Sequence, residues 1–173
     1  MTSDARLNEA GRHMTACLSS LRRYAHALLR DRTAADDLVQ DTLDRAWTRI
    51  GSWHESGDMR PWLFSIMHNL HVDQVRRQRL ATVPLDDEAL TVSVRATHQD
   101  HLELRDLDAA LCRLPEEQRE VLLLVALEEM SYAETAEVLG ISPANVASRL
   151  FRAREKLRTI LEEQDKKSLK VVK

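Results

Sequence analysis

The sequence is poor in the residues that make turns. Its 173 residues include four glycines and four prolines. A sheet protein needs many turns, and Gly and Pro supply most of them. An all-α fold is therefore expected. Cysteine is equally scarce. Cys17 and Cys112 stand alone and far apart, which excludes a disulfide framework or a Cys-x-x-Cys metal knuckle. That usage fits a reducing compartment, so a cytoplasmic location is expected. No apolar run approaches the roughly 18 residues a membrane helix needs, so no membrane insertion is expected. The opening stretch MTSDARLNEAGRH has no apolar core, and a secretory signal is not expected there. No Walker loop, nucleophile elbow or Rossmann fingerprint is present. The chain does not read as an enzyme, and no cofactor is expected.

The formal net charge of −3 announces no nucleic-acid binder, but its distribution is uneven. Residues 1–81 hold 12 basic and 10 acidic residues, 82–114 hold 3 and 7, and 115–173 hold 10 and 11. The middle is therefore the acidic part. Residues 82–100 (TVPLDDEALTVSVRATHQD) also carry Pro84 and only a weak apolar pattern. They are expected to be a flexible linker, since long irregular stretches are uncommon inside a compact domain. Within the last part, Arg149, Arg152, Arg154, Lys156 and Arg158 face Glu155 alone across 142–158. Such a basic stripe is either a nucleic-acid footprint or a solvated helix face.

Apolar spacing places a first helix over roughly Met14 to Leu29 through Leu18, Leu21, Ala25 and Leu28, and a second over about Ala34 to Ile50. The second has an apolar face of Val39, Leu43, Ala46, Trp47 and Ile50. Asp37, Gln40, Asp41 and Asp44 form a stripe opposite it, at i, i+3, i+4 and i+7. A loop from Gly51 to Asp58 contains Trp53, and Pro61 suits the first turn of a third helix ending in Arg76, Arg77 and Arg79. Trp62 and Phe64 lie at core spacing. Asn69 is polar within a mostly apolar stretch, and its amide offers both donors and an acceptor.

The last third is the most legible. Leu102, Leu107, Leu111 and Leu114 make an amphipathic helix, and Leu114-Pro115-Glu116-Glu117 is a helix start. Val121 to Leu127 is apolar nearly all round. Ser131-Tyr132-Ala133-Glu134 reads as a capping box, Gly140 as a stop, and Ser142-Pro143 as the next start. A short helix, a glycine turn and a second helix make a helix-turn-helix. Ala136, Val146, Leu150, Ala153 and Leu157 are its expected packing residues. Asn145, Ser148, Arg149 and Arg152 point outward, and these types reach base edges and phosphates in a major groove.

These segments together resemble the extracytoplasmic-function (ECF) group of bacterial RNA polymerase sigma factors. The resemblance is carried by Asp36-Asp37-Leu38-Val39-Gln40-Asp41 through Trp47, by Arg60-Pro61-Trp62-Leu63-Phe64 through Asp73, and by Arg76-Arg77. Later blocks are Leu114-Pro115-Glu116-Glu117-Gln118-Arg119, Ser131-Tyr132-Ala133-Glu134, and Val146 through Leu157. It implies two small helical domains, 1–81 and 101–173, joined by the linker 82–100. It implies core RNA polymerase, through its β′ clamp helices, and promoter DNA as partners, with an anti-sigma factor as a further one. By this resemblance Asp37, Gln40 and Asp41, with Asp44 on the same stripe, bind polymerase. Asn69 lies at the pocket for a flipped −10 base, with His68 and His71 beside it and Arg76 and Arg77 near promoter phosphates. Ser148, Arg149, Arg152 and Arg154, with Asn145, bind the −35 element. Ala147 and His68 depart from the family pattern, which often has basic residues there.

His68-x-x-His71 and His98-x-x-His101 lack the further ligands that zinc requires, so no metal site is expected. The acids of the second helix lack the base or lysine expected of a magnesium nuclease. A sigma-like mimic, which sequesters an anti-sigma factor without touching DNA, is the alternative. Retention of Arg149, Arg152 and Arg154 speaks against it.

Overall fold

The computed structural model describes residues 3–29, 31–53, 58–81 and 107–171. The linker expected over 82–100, and His98 and His101 with it, lie outside the described residues. Every described regular element is helical: α1 (Ser3–Leu29), α2 (Arg32–Thr48), a 3₁₀ turn (Ile50–Ser52), α3 (Met59–Ala81), α4 (107–112), α5 (Glu116–Leu122), α6 (Tyr132–Leu139) and α7 (Pro143–Val171).

α1, α2 and α3 form one packed group. α2 starts where Asp31 accepts a hydrogen bond from the Ala34 N–H at 2.9 Å, which satisfies one orphan donor of its first turn. Leu21, Tyr24, Ala25 and Leu28 of α1 meet Ala35, Leu38, Val39 and Ala46 of α2 and Leu63, Phe64 and Met67 of α3, all buried. Tyr24 and Phe64 stack edge-on at 5.2 Å. Trp53, in the loop where the sequence puts it, enters the core beside His13, with ring centres 5.8 Å apart. Trp47 sits otherwise than expected. It is 51% exposed, because the buried stripe of α2 runs through Ala35, Leu38, Val39, Thr42 and Ala46 and leaves it at the rim.

The second group is α4 to α7. Val121, Leu124, Ala136, Val138, Leu139, Val146, Leu150, Ala153 and Ile160 form its core. The apolar run after α5 is not a plain α-helix. Leu123–Leu127 winds as a π turn, with the Glu128 N–H bonded back to the Leu123 carbonyl at 3.0 Å. The chain leaves this turn through Glu129 at φ 53, the one non-glycine positive φ among the described residues.

α3 packs on α6, and α1 on the π turn, so the two groups touch. Tyr24 lies at this contact. Its hydroxyl is buried and finds no hydrogen-bond partner among the described residues. Burial first, and then the carboxylate of Glu120, push its pKa well above the usual value near 10. The folded state thus favours the neutral phenol. The stabilisation is complete below about pH 10, where the unfolded chain also keeps the proton, and is lost as pH rises above it. Tyr24→Phe is expected to change stability at neutral pH by less than about 1 kcal/mol. It should move alkaline unfolding, followed by helical circular dichroism, to higher pH. An unmoved alkaline midpoint would show that Tyr24 does not limit it.

Candidate nucleic-acid interface

The helix-turn-helix is built from local signals. Ser131 and Glu134 form a reciprocal capping box. The Glu134 N–H donates to Ser131 Oγ at 3.2 Å, and the Ser131 N–H to Glu134 Oε2 at 2.8 Å. Hydrogen bonds from the Ser131 hydroxyl and N–H hold the Glu134 carboxyl below its ordinary pKa. Gly140, at φ 64, makes the left-handed turn that ends α6, where a side chain would be strained. Ser142 then accepts from the Asn145 N–H at 3.2 Å and opens α7.

Burying Val146, Leu150 and Ala153 turns the other face of α7 outward. Asn145, Arg152 and Arg154 are exposed, and Ser148 is partly so. Arg152 Nη2 donates to Ser148 Oγ at 2.9 Å, which orders the two as a unit one turn apart. Arg149 is drawn sideways to Glu117, at 2.9 Å. Phe151 stands 68% exposed on the outward face. Sequence reasoning passed over it, although its place between Leu150 and Arg152 takes it off the apolar spacing.

On the first group, Asp37, Gln40, Asp41 and Asp44 lie on the open face of α2. Asp36 pairs with His26 at 3.3 Å, whereas these four make no ion pair or side-chain hydrogen bond among the described residues. Asp41 and Asp44 share a groove of about 330 Å³ with Arg45, Thr48, Leu70, Gln74 and Arg77. The α2 stripe and the basic end of α3 therefore adjoin. Arg76 and Asn69 are exposed.

His68 and His71 go elsewhere. The sequence placed them beside Asn69 on a DNA strand, but the structure turns both toward the second group. His68 Nδ1 lies 3.0 Å from Glu120 Oε1, and His71 Nε2 2.7 Å from Glu116 Oε1. His71 is 3% exposed. The missed signal is a match of spacings: glutamates at i and i+4 on α5 meet histidines at i and i+3 on α3. Sequence reasoning also missed Glu128. Its side chain is fully buried, 0% exposed, at the end of the π turn. Arg23 grips it with a two-point fork, Nε to Oε1 and Nη2 to Oε2, both at 2.9 Å. Arg60 Nη2 donates to Oε2 at 2.9 Å and also to the Glu128 carbonyl. The Arg60 guanidinium itself lies over the Phe64 ring, 5.8 Å from its centre.

Residues 104–157 match the family model described as Sigma-70, region 4, and residues 14–68 that of the Sigma2 domain of PhyR. Over 147 residues the chain is 37% identical to the ECF RNA polymerase sigma factor EcfG of Rhodopseudomonas palustris, covering 84% of this chain and 81% of that one. The chain belongs to the ECF sigma factor family. ECF sigma factor SigM of Bacillus subtilis is 32% identical over 146 residues, covering 83% and 89%. Among solved structures, the sigma factor RpoE of Bartonella quintana, in complex with the anti-sigma factor NepR, has a TM-score of 0.73 at 29% identity. It covers 89% of this chain and 97% of that one. CnrH, in complex with the cytosolic domain of CnrY, has a TM-score of 0.68 at 31% identity, covering 88% and 87%. This ECF sigma factor thus comprises a sigma2 domain and a helix-turn-helix region-4 domain. Members of the family act in transcription initiation and are not enzymes. No described helix is long and apolar enough to cross a membrane.

Proposed function

We propose that this sigma factor acts in the cytoplasm to direct core RNA polymerase to its own set of promoters. The sigma2 domain, 1–81, docks on the β′ clamp helices through Asp37, Gln40, Asp41 and Asp44. Asn69 holds an extruded −10 base, and Arg76 and Arg77 hold the strand backbone beyond it. His68 and His71 join them only when the domains part. The second domain, 101–173, reads the −35 duplex. The observation that carries this reading is the outer face of α7, where Arg152 and Ser148 are prearranged beside exposed Asn145, with Arg154 exposed on the flank of the helix. Arg149 joins them on release from Glu117. Ala147 and Phe151 add apolar surface of the kind that meets thymine methyl groups. The NepR complex of the Bartonella relative supports an anti-sigma factor as a further partner.

The test is transcription from genomic DNA fragments by core polymerase with and without the chain, with start sites mapped. New start sites preceded by a shared −35 sequence are expected. One good base contact is worth about 1–3 kcal/mol. Arg152→Ala should therefore lower promoter-specific transcripts by about five- to 150-fold while polymerase binding persists. Parallel loss of polymerase binding would overturn the assignment of α7. A second reading draws on the match of residues 14–68 to the sigma2 domain of PhyR. PhyR of Bartonella quintana is described as an anti-anti-sigma factor in complex with NepR. A mimic of that kind would yield no start sites with core polymerase.

A further inference from the structure

We propose that the Glu128 clamp is an autoinhibitory latch: it holds the second domain over the face of α3 that carries His68 and His71. Opening the latch precedes use of that face. The inference rests on the reading of α3 as the −10 surface.

The contact is sorted by charge. Among the described residues, each cation or imidazole in its ion pairs comes from the first domain, namely Arg23 of α1 and Arg60, His68 and His71 of α3. Their carboxylates, Glu116, Glu120 and Glu128, come from the second. At its centre one buried carboxylate takes three N–H donors from two helices. Arg23 adds a bond to the Leu127 carbonyl at 3.2 Å. The backbone is shaped to deliver that carboxylate. The π turn ends at Glu128, and the next residue takes a positive φ that is unfavourable without glycine.

The two groups share one buried apolar cluster, yet the contact also carries polar groups that favour parting. Separable domain contacts are more polar than permanent ones. Here Tyr24 Oη, His71 Nδ1, Arg60 Nε and Arg119 Nε are buried without hydrogen-bond partners among the described residues. Separation returns these groups to water, which offsets the loss of the Glu128 contacts. Closure removes His71 from solvent and turns His68 away from any strand lying along Asn69.

The experiment uses the full chain with Glu128→Gln, Arg23→Ala and the double variant. Small-angle scattering gives the radius of gyration. Fluorescence polarisation follows binding of a single-stranded oligonucleotide carrying the mapped −10 sequence. Circular dichroism checks the fold, and Arg23→Ala decides if Glu128→Gln loses helicity, because the Arg23 side chain is half exposed on α1. Both single variants are expected to expand and to bind about tenfold more tightly, the gain expected if roughly one wild-type chain in ten is open. The double variant should do no more than either single one, since all three break one contact. Unchanged dimensions with native helicity would overturn the latch. Expansion without tighter binding would overturn the occlusion. Should no variant direct polymerase to any start site, the promoter reading fails. The scattering result still decides whether the clamp closes the chain.

Discussion

Reversing two charges on α2, Asp37→Lys with Asp41→Lys, is expected to weaken binding to core polymerase by more than about a hundredfold and to leave the fold intact. Both side chains lie on the open face of their helix. Neither makes an ion pair among the described residues, and exposed substitutions of this kind usually change stability by less than about 0.5 kcal/mol. Across an interface the arithmetic differs. Close charge pairs couple by about 1.5–7 kcal/mol, and reversal replaces attraction with repulsion at two positions one turn apart. Wild-type affinity should also fall with salt, because the screening length is about 8 Å at physiological ionic strength. The check is a polymerase-binding titration at two salt concentrations beside a melting curve. Retained affinity would remove the stripe from the proposed polymerase surface. A lowered melting temperature would show that the charges serve the fold.

Leu150→Ala is expected to unfold the second domain selectively. Leu150 is 1% exposed, in a core shared with Val146, Ala153 and Ala136. Emptying such a site costs about 2–5 kcal/mol. A helical unit this small rarely has more than about 3–5 kcal/mol to lose. The chain supplies its own reporter, since Trp47, Trp53 and Trp62 all lie in the first domain. Denaturation followed by tryptophan fluorescence should keep its wild-type midpoint. Helical dichroism should lose part of its amplitude at low denaturant, and −35 duplex binding should disappear. If fluorescence and dichroism shift together, the two domains unfold as one cooperative unit, and the Glu128 contact is stronger than a latch.

The range of the forces involved decides which features were legible in the sequence. The capping box at Ser131, the stop at Gly140 and the start at Ser142 are written in residues three apart, and each lies where the sequence put it. The exposure of the four α2 acids was equally local, because helical spacing alone sets them opposite the core. Their proposed partner comes from the family resemblance and not from any local pattern. Trp47 was misplaced because periodicity gives a direction around a helix but not the width of the neighbour that covers it. The π turn was not legible either, since Leu123-Leu124-Val125-Ala126-Leu127 suits an α-helix equally well. The pairing of the α3 histidines with Glu116 and Glu120 was not legible, because those partners lie 45 and 52 residues away, a separation no local pattern spans.

The π turn has a consequence for how such a chain can vary. In an α-helix each residue rotates the remainder of the helix by about 100°, so gaining or losing one residue redirects everything downstream. A π turn takes up the extra residue within a single loop of the backbone. The capping box at Ser131 then starts the next helix afresh. The phase of Glu128 is thereby uncoupled from the phase of Arg152. Substitutions at Glu116, Glu120 or Glu128 would tighten or loosen closure without touching the outward residues of α7, whereas Glu117, which holds Arg149, couples to both. Conversely, α7 can acquire a new promoter preference without altering how readily the chain opens.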